Sequence, residues 1–594
     1  MKAFPLALLL VALTAAPAGA ASVLRVDASK AGPQTSAFIT GAGQAFSTSA
    51  GAPPSNWDDA ANRPDAAVVD QTTAAGVRLI RFPGGSEAGR YDWEAGLGPI
   101  RAPCQSSGRG VKARPLSNVY GFDEHMRFAE AAGAQAEVMV PFAFSSAQAA
   151  ADWVEYANAP LDGSNPGGGI DWAAVRALDG HPAPYDVTRW EIGNEPDRNG
   201  QRYWMSTNAD TARAQYANGG VHRAFNESAD ADCRWATKTS GVSGQVFHTR
   251  YRPVRPKGFQ LTVGDVVWNR VPDLSAAAPD ADVYTLDEIT GTIHFGDNVR
   301  GRIPPGGARV GVSYRTPRLP GYDDFRTAMK AVDPTIDVCA TWADVPFLRA
   351  AVRDGREIDC VTAHPNTSLA EYGGVLYNPA AYDAGMKGAG RASRQIARLA
   401  AAARKAPGRP YVAISDYGAV AGGAQLEAGA AASMIHAMYM ATEQLTWLRL
   451  GLPWATGGRL TDFATAIVNA SGAGLTPAGT ALLPFDGLPG AQLVRARIEA
   501  NPRRHGYSSL RAVAARGENG RLILLILNRD RERPVAVRLA LKGFAASGQA
   551  EQAQTTSAAF DSALASYESR PVAAKDGTVL RLPAHSFTRL TLDP

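Results

Sequence analysis

Cysteine, net charge and long apolar runs are all scarce in this chain. Four Cys, at 104, 233, 339 and 360, stand among 594 residues, and their spacing matches no zinc pattern. No His/Cys/carboxylate set has zinc spacing either, so neither a metal nor a cofactor is expected. Cys339 and Cys360 fall in consecutive predicted strands, where they either pair or remain buried free thiols. Basic residues exceed acidic ones by only four, with no Lys/Arg block, which argues against nucleic acid as the main partner. No nucleotide-binding glycine fingerprint follows a strand, and no Gly-x-Ser-x-Gly elbow occurs. Beyond the first twenty residues no apolar stretch reaches membrane length, so stable membrane insertion is not expected. There is no internal repeat and no low-complexity linker.

Core material is ample: 45% of residues are hydrophobic and 20% charged, which excludes global disorder. Residues 1–20 read as a signal peptide: Lys2, an apolar core from Leu6 to Ala16, and Ala18-Gly19-Ala20 as a small-residue cleavage site. The expectation is an exported protein, periplasmic or extracellular. Eleven Trp offer platforms for sugar rings, although Trp equally fills cores.

Short apolar strands alternate with helical stretches, which predicts an α/β fold with a parallel sheet. Eight candidate strands are Ala37–Phe46, Val77–Pro83, Gln135–Phe142, Val187–Asn194, Ile336–Trp342, Ile358–His364, Tyr411–Asp416 and Trp447–Trp454. Eight such strands with intervening helices predict a (β/α)8 TIM barrel over residues 37–492, with chemistry at the C-terminal strand ends. Two regions break the rhythm. Residues 240–320 alternate in strand fashion between turn-forming Gly, Pro, Asn and Asp, and read as a small β module inserted in the barrel. Residues 493–594 read as a C-terminal β-sandwich, joined by an N-terminal strand within 21–36.

The chemistry-bearing residues lie at predicted strand ends. Trp190-Glu-Ile-Gly-Asn-Glu-Pro-Asp197 is an apolar strand ending in an amide and a carboxyl. Asn194 can bond a sugar hydroxyl and Glu195 can protonate a leaving oxygen. Tyr411-Val-Ala-Ile-Ser-Asp-Tyr-Gly418 ends strand seven in Asp416. Two carboxylates on one rim are what glycoside hydrolysis needs, one protonated and one ionised. Arg81 closes strand two in Ile80-Arg-Phe-Pro-Gly-Gly, and His364 closes strand six in Thr362-Ala-His-Pro-Asn. Trp454, read as the end of strand eight, offers a stacking wall for a sugar or a piece of core.

Taken together these stretches resemble the family 51 glycoside hydrolases, α-L-arabinofuranosidases of a retaining (β/α)8 clan. The likeness rests on Arg81-Phe-Pro-Gly-Gly through Pro99, Tyr120-Gly-Phe-Asp-Glu124, Ala151-Asp-Trp-Val-Glu-Tyr156, Gly180-His-Pro-Ala-Pro-Tyr185, Trp190-Glu-Ile-Gly-Asn-Glu195, Met329-Lys-Ala-Val-Asp-Pro-Thr335 and Leu582-Pro-Ala-His-Ser-Phe-Thr588. The stretch from Phe259 to Tyr314 separately resembles small β modules of phage baseplate proteins. The family likeness implies an enzyme acting on polysaccharide or oligosaccharide, with Glu195 as acid/base, Asn194 as a substrate contact and Asp416 at the nucleophile's place. The chain departs from the family pattern. Asp416 stands where the family has Glu, which leaves retention with a shifted sugar, inversion through a water, or lost activity as outcomes. Gln44 is the only polar residue near the family's strand-one Glu, Ser86 replaces a Cys, and Pro365-Asn366 replace two Tyr. Leu452-Pro-Trp454 stands for a Gln after strand eight. The alternative is a degenerate, saccharide-binding relative on the same scaffold.

Overall fold

The computed structural model describes residues 22–594 except 49–50, 100, 103–104, 107–114, 232–237, 369–378, 421–432, 464 and 470–471. The expected signal peptide, Cys104 and Cys233 lie outside the described residues. Eight parallel strands close into a barrel. They are β1 (Phe38–Gly43), β2 (Leu79–Phe82), β3 (Gln135–Val140), β4 (Arg189–Ile192), β5 (Asp337–Ala340), β6 (Cys360–Ala363), β7 (Tyr411–Ile414) and β8 (Trp454–Arg459). Each of the first seven lies within its predicted span, so the (β/α)8 expectation holds.

Strand eight is displaced from its predicted place. Residues Trp447–Leu450 finish the helix Met434–Leu450, and the strand only begins at Trp454. The helix is buried from Met434 through Leu448, so it shows no polar face to mark it as a helix. Its end is set by Gly451, whose φ of 67° supplies the left-handed cap. Trp454 therefore starts β8 beside Phe38, the first residue of β1. It packs with Leu79, Cys339, Cys360 and Ala413, closing the barrel's N-terminal end. The stacking wall expected from Trp454 is overturned, since it sits at the end opposite the active face. In that plug Cys339 and Cys360, paired in register on β5 and β6, form a disulfide.

Between β4 and β5 lies an eight-stranded sheet whose strands run from Arg223–Ser228 to Val310–Arg315, starting upstream of the expected 240. It has its own core, including Phe247, Leu261, Trp268, Tyr284, Ile293 and Val312. It docks on loops at the barrel's C-terminal face. Tyr251 stacks on Phe144 at 5.2 Å, and Arg90 pairs with Asp230 at 2.9 Å.

The C-terminal region is a nine-stranded sheet. The strand Ser22–Gln34 enters it between Gln492–Glu499 and Val535–Lys542. All nine strands contribute to one core, with residues such as Leu24, Leu524, Val537 and Leu590, so the sheet curls on itself as a sandwich does. An inner strand, Leu522–Asn528, is buried at every residue. Leu522, Leu524 and Ile526 face that core, while Ile523, Leu525 and Leu527 join the barrel's core. Each such side chain contributes about 1.5–3 kcal/mol of apolar burial, which fastens the sheet to the barrel. No helix among the described residues is long and apolar enough to cross a membrane.

Candidate active site

The site grows from the end of β4. Gly193 takes φ +84°, and a Cβ there would lie 2.8 Å from that of Phe142; only glycine fits. The turn delivers Asn194 and then Glu195, itself at φ +49°. A non-glycine residue held there costs on the order of 1–3 kcal/mol and persists only where its surroundings fix it.

Those surroundings are a connected polar network. Glu195 Oε1 lies 3.1 Å from His364 Nδ1, just beyond β6, and 2.9 Å from Arg198 Nη1. Its Oε2 accepts from Gln201 Nε2 at 3.1 Å. His364 Nε2 meets Ser415 Oγ, just beyond β7, at 2.8 Å. Arg81, buried on β2, donates to Asn194 Oδ1 at 2.9 Å and pairs with Glu191 inside the barrel. Asn194 in turn donates to Gln201 Oε1 at 3.1 Å, and Gln201 donates to Ser86 Oγ at 3.0 Å. Ends of β2, β4, β6 and β7 thus meet in one chain of contacts.

The electrostatics follow from that arrangement. Burial raises the Glu195 pKa, but the His364 bond and the charges of His364, Arg198 and Arg81 outweigh it and hold it below the usual carboxylate range. Burial works against the Arg81 charge, and the charges of Glu191, Glu137 and Asp416 overcome it. Both Glu195 and Asp416 therefore sit in the field of one buried guanidinium. Deeper in the barrel Glu137 is fully buried; burial first, then the Glu191 carboxylate, push its pKa well above the usual range despite Arg81. Thr456 Oγ1 donates to Glu137 Oε2 at 3.1 Å, and Thr362 Oγ1 to Glu191 Oε2 at 3.0 Å.

Of the residues singled out from sequence, Glu195, Asn194, Arg81 and His364 form this network, and Asp416 joins it through the charge of Arg81. Gln44 follows β1 at the same end, its backbone N–H bonded to Arg81 O at 2.8 Å. Its side chain is buried and turned to its own loop, donating to Ala45 O at 2.9 Å. Trp454 is absent from this face. With strand eight re-placed, β8 ends in Gly457-Gly458-Arg459, so Leu452-Pro-Trp454 is not the counterpart of a residue after the strand. A Cβ on Gly85 (φ +90°) would collide with the Arg459 guanidinium, which places Arg459 at the rim. Sequence reasoning also passed over Gln201, Arg198, Glu137 and Glu191. The last two carried a signal: an acid inside an apolar strand must face a partner within the barrel.

Beside this network lies a cleft of about 660 Å³ between the barrel loops and the inserted sheet, with Trp93, Phe144, Trp204 and Tyr251 in its lining. The segments that carry Ser86 and Gln201 continue into it at Arg90 and Trp204. Among the described residues no group of three or more His, Cys, Asp or Glu is placed to hold a metal ion.

Residues 72–220 match the α-L-arabinofuranosidase 1 domain. An intracellular exo-α-(1→5)-L-arabinofuranosidase of Bifidobacterium longum is 33% identical over 131 residues, 22% of this chain and 22% of that protein. A probable α-L-arabinofuranosidase C of Aspergillus fumigatus is 28% identical over 129 residues, 22% of this chain and 24% of that protein. The chain thus spans only about a fifth to a quarter of the length of these curated relatives. Among solved structures, the family 51 α-L-arabinofuranosidase of Thermotoga petrophila aligns over 96% of this chain and 100% of its own, with TM-score 0.67 and 15% identity. The family 51 arabinofuranosidase of Xanthomonas axonopodis pv. citri gives the same coverage, TM-score 0.66 and 16% identity. From the barrel to the last strand of the C-terminal sheet, the chain has a family 51 arabinofuranosidase-like fold.

Proposed function

We propose that the protein is an exported glycoside hydrolase, arabinofuranosidase-like, that cleaves glycosidic bonds in polysaccharide or oligosaccharide. Glu195 is its general acid/base and Asp416 its nucleophile. The observation that carries the reading is the union of Glu195 with His364, Arg81 and Asn194 at strand ends of a closed barrel. In the first half-reaction Glu195 gives its proton to the glycosidic oxygen as the C1–O bond breaks, and an Asp416 oxygen bonds to C1. In the second, Glu195 takes a proton from water as the water oxygen bonds to C1 and Asp416 leaves. Glu195 must be protonated at the start, whereas in the free protein its neighbours favour the ionised form. Arg198, 48% exposed, is the partner that an arriving leaving group displaces. The aromatic cleft beside the inserted sheet takes the leaving-group side.

The second reading is saccharide binding without turnover, favoured by the short Asp416 side chain. Hydrolysis of aryl glycosides and arabinan-type polysaccharides separates the two. Glu195→Gln is expected to lose about 10²–10⁴-fold on natural leaving groups and less on activated aryl ones. Parent-level hydrolysis by that variant removes Glu195 from the reaction, and saccharide affinity without any turnover by the parent establishes the second reading. NMR of the first-formed anomer checks Asp416: retention fits the nucleophile, inversion a water-activating base.

A further inference from the structure

On the barrel's flank the helix Pro379–Ala403, the last turn of Met434–Leu450 and the C-terminal sheet enclose a cavity of about 710 Å³. Among the described residues seven Arg and one Lys line it, and no Asp or Glu does. Composition does not explain this, because the chain holds 56 acidic residues against 60 basic ones. Lys387, Arg391 and Arg394 lie four and three residues apart on one helix, the spacing that puts side chains on one face. Arg449 reaches the cavity from the second helix, and Arg511 and Arg529 from the sheet.

Arg529 is buried and Arg511 half-buried, and among the described residues neither has a carboxylate within ion-pair distance, although the buried Glu443 acts on both from further away. Arg529 is 2% exposed, donates to the Ser508 and Met386 carbonyls, and lies 5.3 Å from the Tyr507 ring centroid. Its Nε has no hydrogen-bond partner among the described residues. Arg511 donates to Thr446 Oγ1 at 3.2 Å. Among the ion pairs of the described residues none includes Arg391, Arg394, Arg449, Arg511 or Arg529, whereas Arg497 at the rim pairs with Glu499. Burial and the Arg511 charge push the Arg529 pKa down to about 9. Burial lowers that of Arg511 too, opposed by the Glu443 charge and reinforced by that of Arg449. An unpaired buried charge is costly unless something of opposite sign offsets it. Guanidinium forks bind carboxylate and phosphate bidentately, and the volume is that of a small-molecule site rather than a single-ion niche.

We propose that this cavity is a binding site for a ligand carrying two or more oxyanion groups, such as the carboxylates of an acidic oligosaccharide or the phosphates of a polyphosphorylated small molecule. It shares no residue with the Glu195 network, so it does not depend on the reaction proposed there. The ligand's charges would complete the ion pairs that Arg529, Arg511 and the helix stripe lack.

The test is calorimetric titration of the full chain carrying Glu195→Gln, which prevents turnover, with trigalacturonate, inorganic tripolyphosphate and neutral arabinotriose. The expected result is saturable binding of at least one anion, weakened by salt. The anion bound more tightly identifies carboxylate or phosphate as the natural chemistry. Arg391→Gln with Arg394→Gln changes only exposed side chains and is expected to lower that affinity about tenfold or more; Arg511→Gln is expected to lower it as well. Arabinotriose binding should not respond to either change. Failure of both anions to bind, or equal anion affinity in the rim double variant and its parent, overturns the proposal. Loss of the hydrolase reading alone leaves every one of these expectations standing.

Discussion

The two ends of the barrel are made from the same eight strands and could hardly differ more. At the N-terminal end Leu79, Ala413, Trp454 and the Cys339–Cys360 disulfide form a closed apolar plug. Toward the C-terminal end Glu191, Arg81, Asn194, Gln201, Glu195 and His364 form a continuous run of polar and charged contacts. One end holds the strands together; the other tolerates buried charge and a left-handed glutamate to hold a constellation of groups. The comparison implies that substitutions at the two ends separate stability from turnover.

The largest expected effect is at the C-terminal end. Asp416→Asn keeps the size of the side chain and removes its charge, and is expected to cut turnover by about 10³-fold or more with the melting temperature nearly unchanged. Single-turnover kinetics with an activated aryl glycoside measures it; full activity would break the assignment. At the other end Trp454→Ala opens a cavity in the plug and is expected to cost about 3–5 kcal/mol of stability. Activity per folded molecule should stay near the parent's, as denaturant unfolding combined with active-site titration would show. A specific loss of kcat without destabilisation would erase the contrast between the ends. The smallest effect sharpens the C-terminal side. Arg198 stabilises the ionised form of Glu195, so Arg198→Gln is expected to raise that pKa. An acid that must be protonated then stays active further upward, and the alkaline limb of kcat/KM moves to higher pH. Arg198→Lys, which keeps the charge, should restore the limb. An unmoved limb in Arg198→Gln would detach Arg198 from the proton's behaviour.

Much of this was legible in the residues, and the gaps have physical reasons. Seven strands could be read because each is a short apolar run between helical stretches, several of them ending in polar residues as in Val412-Ala-Ile-Ser-Asp416. Strand eight slipped because the helix before it is buried on all sides, so apolar Trp447-Leu-Arg-Leu450 passed for a strand. That slip moved Trp454 from one end of the barrel to the other and hid Arg459. The first insert strand, Arg223–Ser228, has no fully buried residue and no alternating apolar face to reveal it. Glu195, Asp416 and His364 drew notice in the sequence because strand-end polar residues in barrels are conspicuous. Gln201 was not, since a glutamine in a loop says nothing about the two side chains that it joins.

The strand Ser22–Gln34 has a consequence for how the molecule is made. It is the earliest described stretch to leave a ribosome, yet both its neighbours, Gln492–Glu499 and Val535–Lys542, come from the last fifth of the chain. The first strand must stay unpaired through synthesis of the entire barrel, exposing an edge that any other strand could borrow. Order therefore arrives at both ends of the polypeptide together. A chain cut short between Arg459 and Gln492 carries all eight barrel strands and an orphaned first strand. Such nascent fragments, rather than the full-length protein, are where aggregation of this fold would begin.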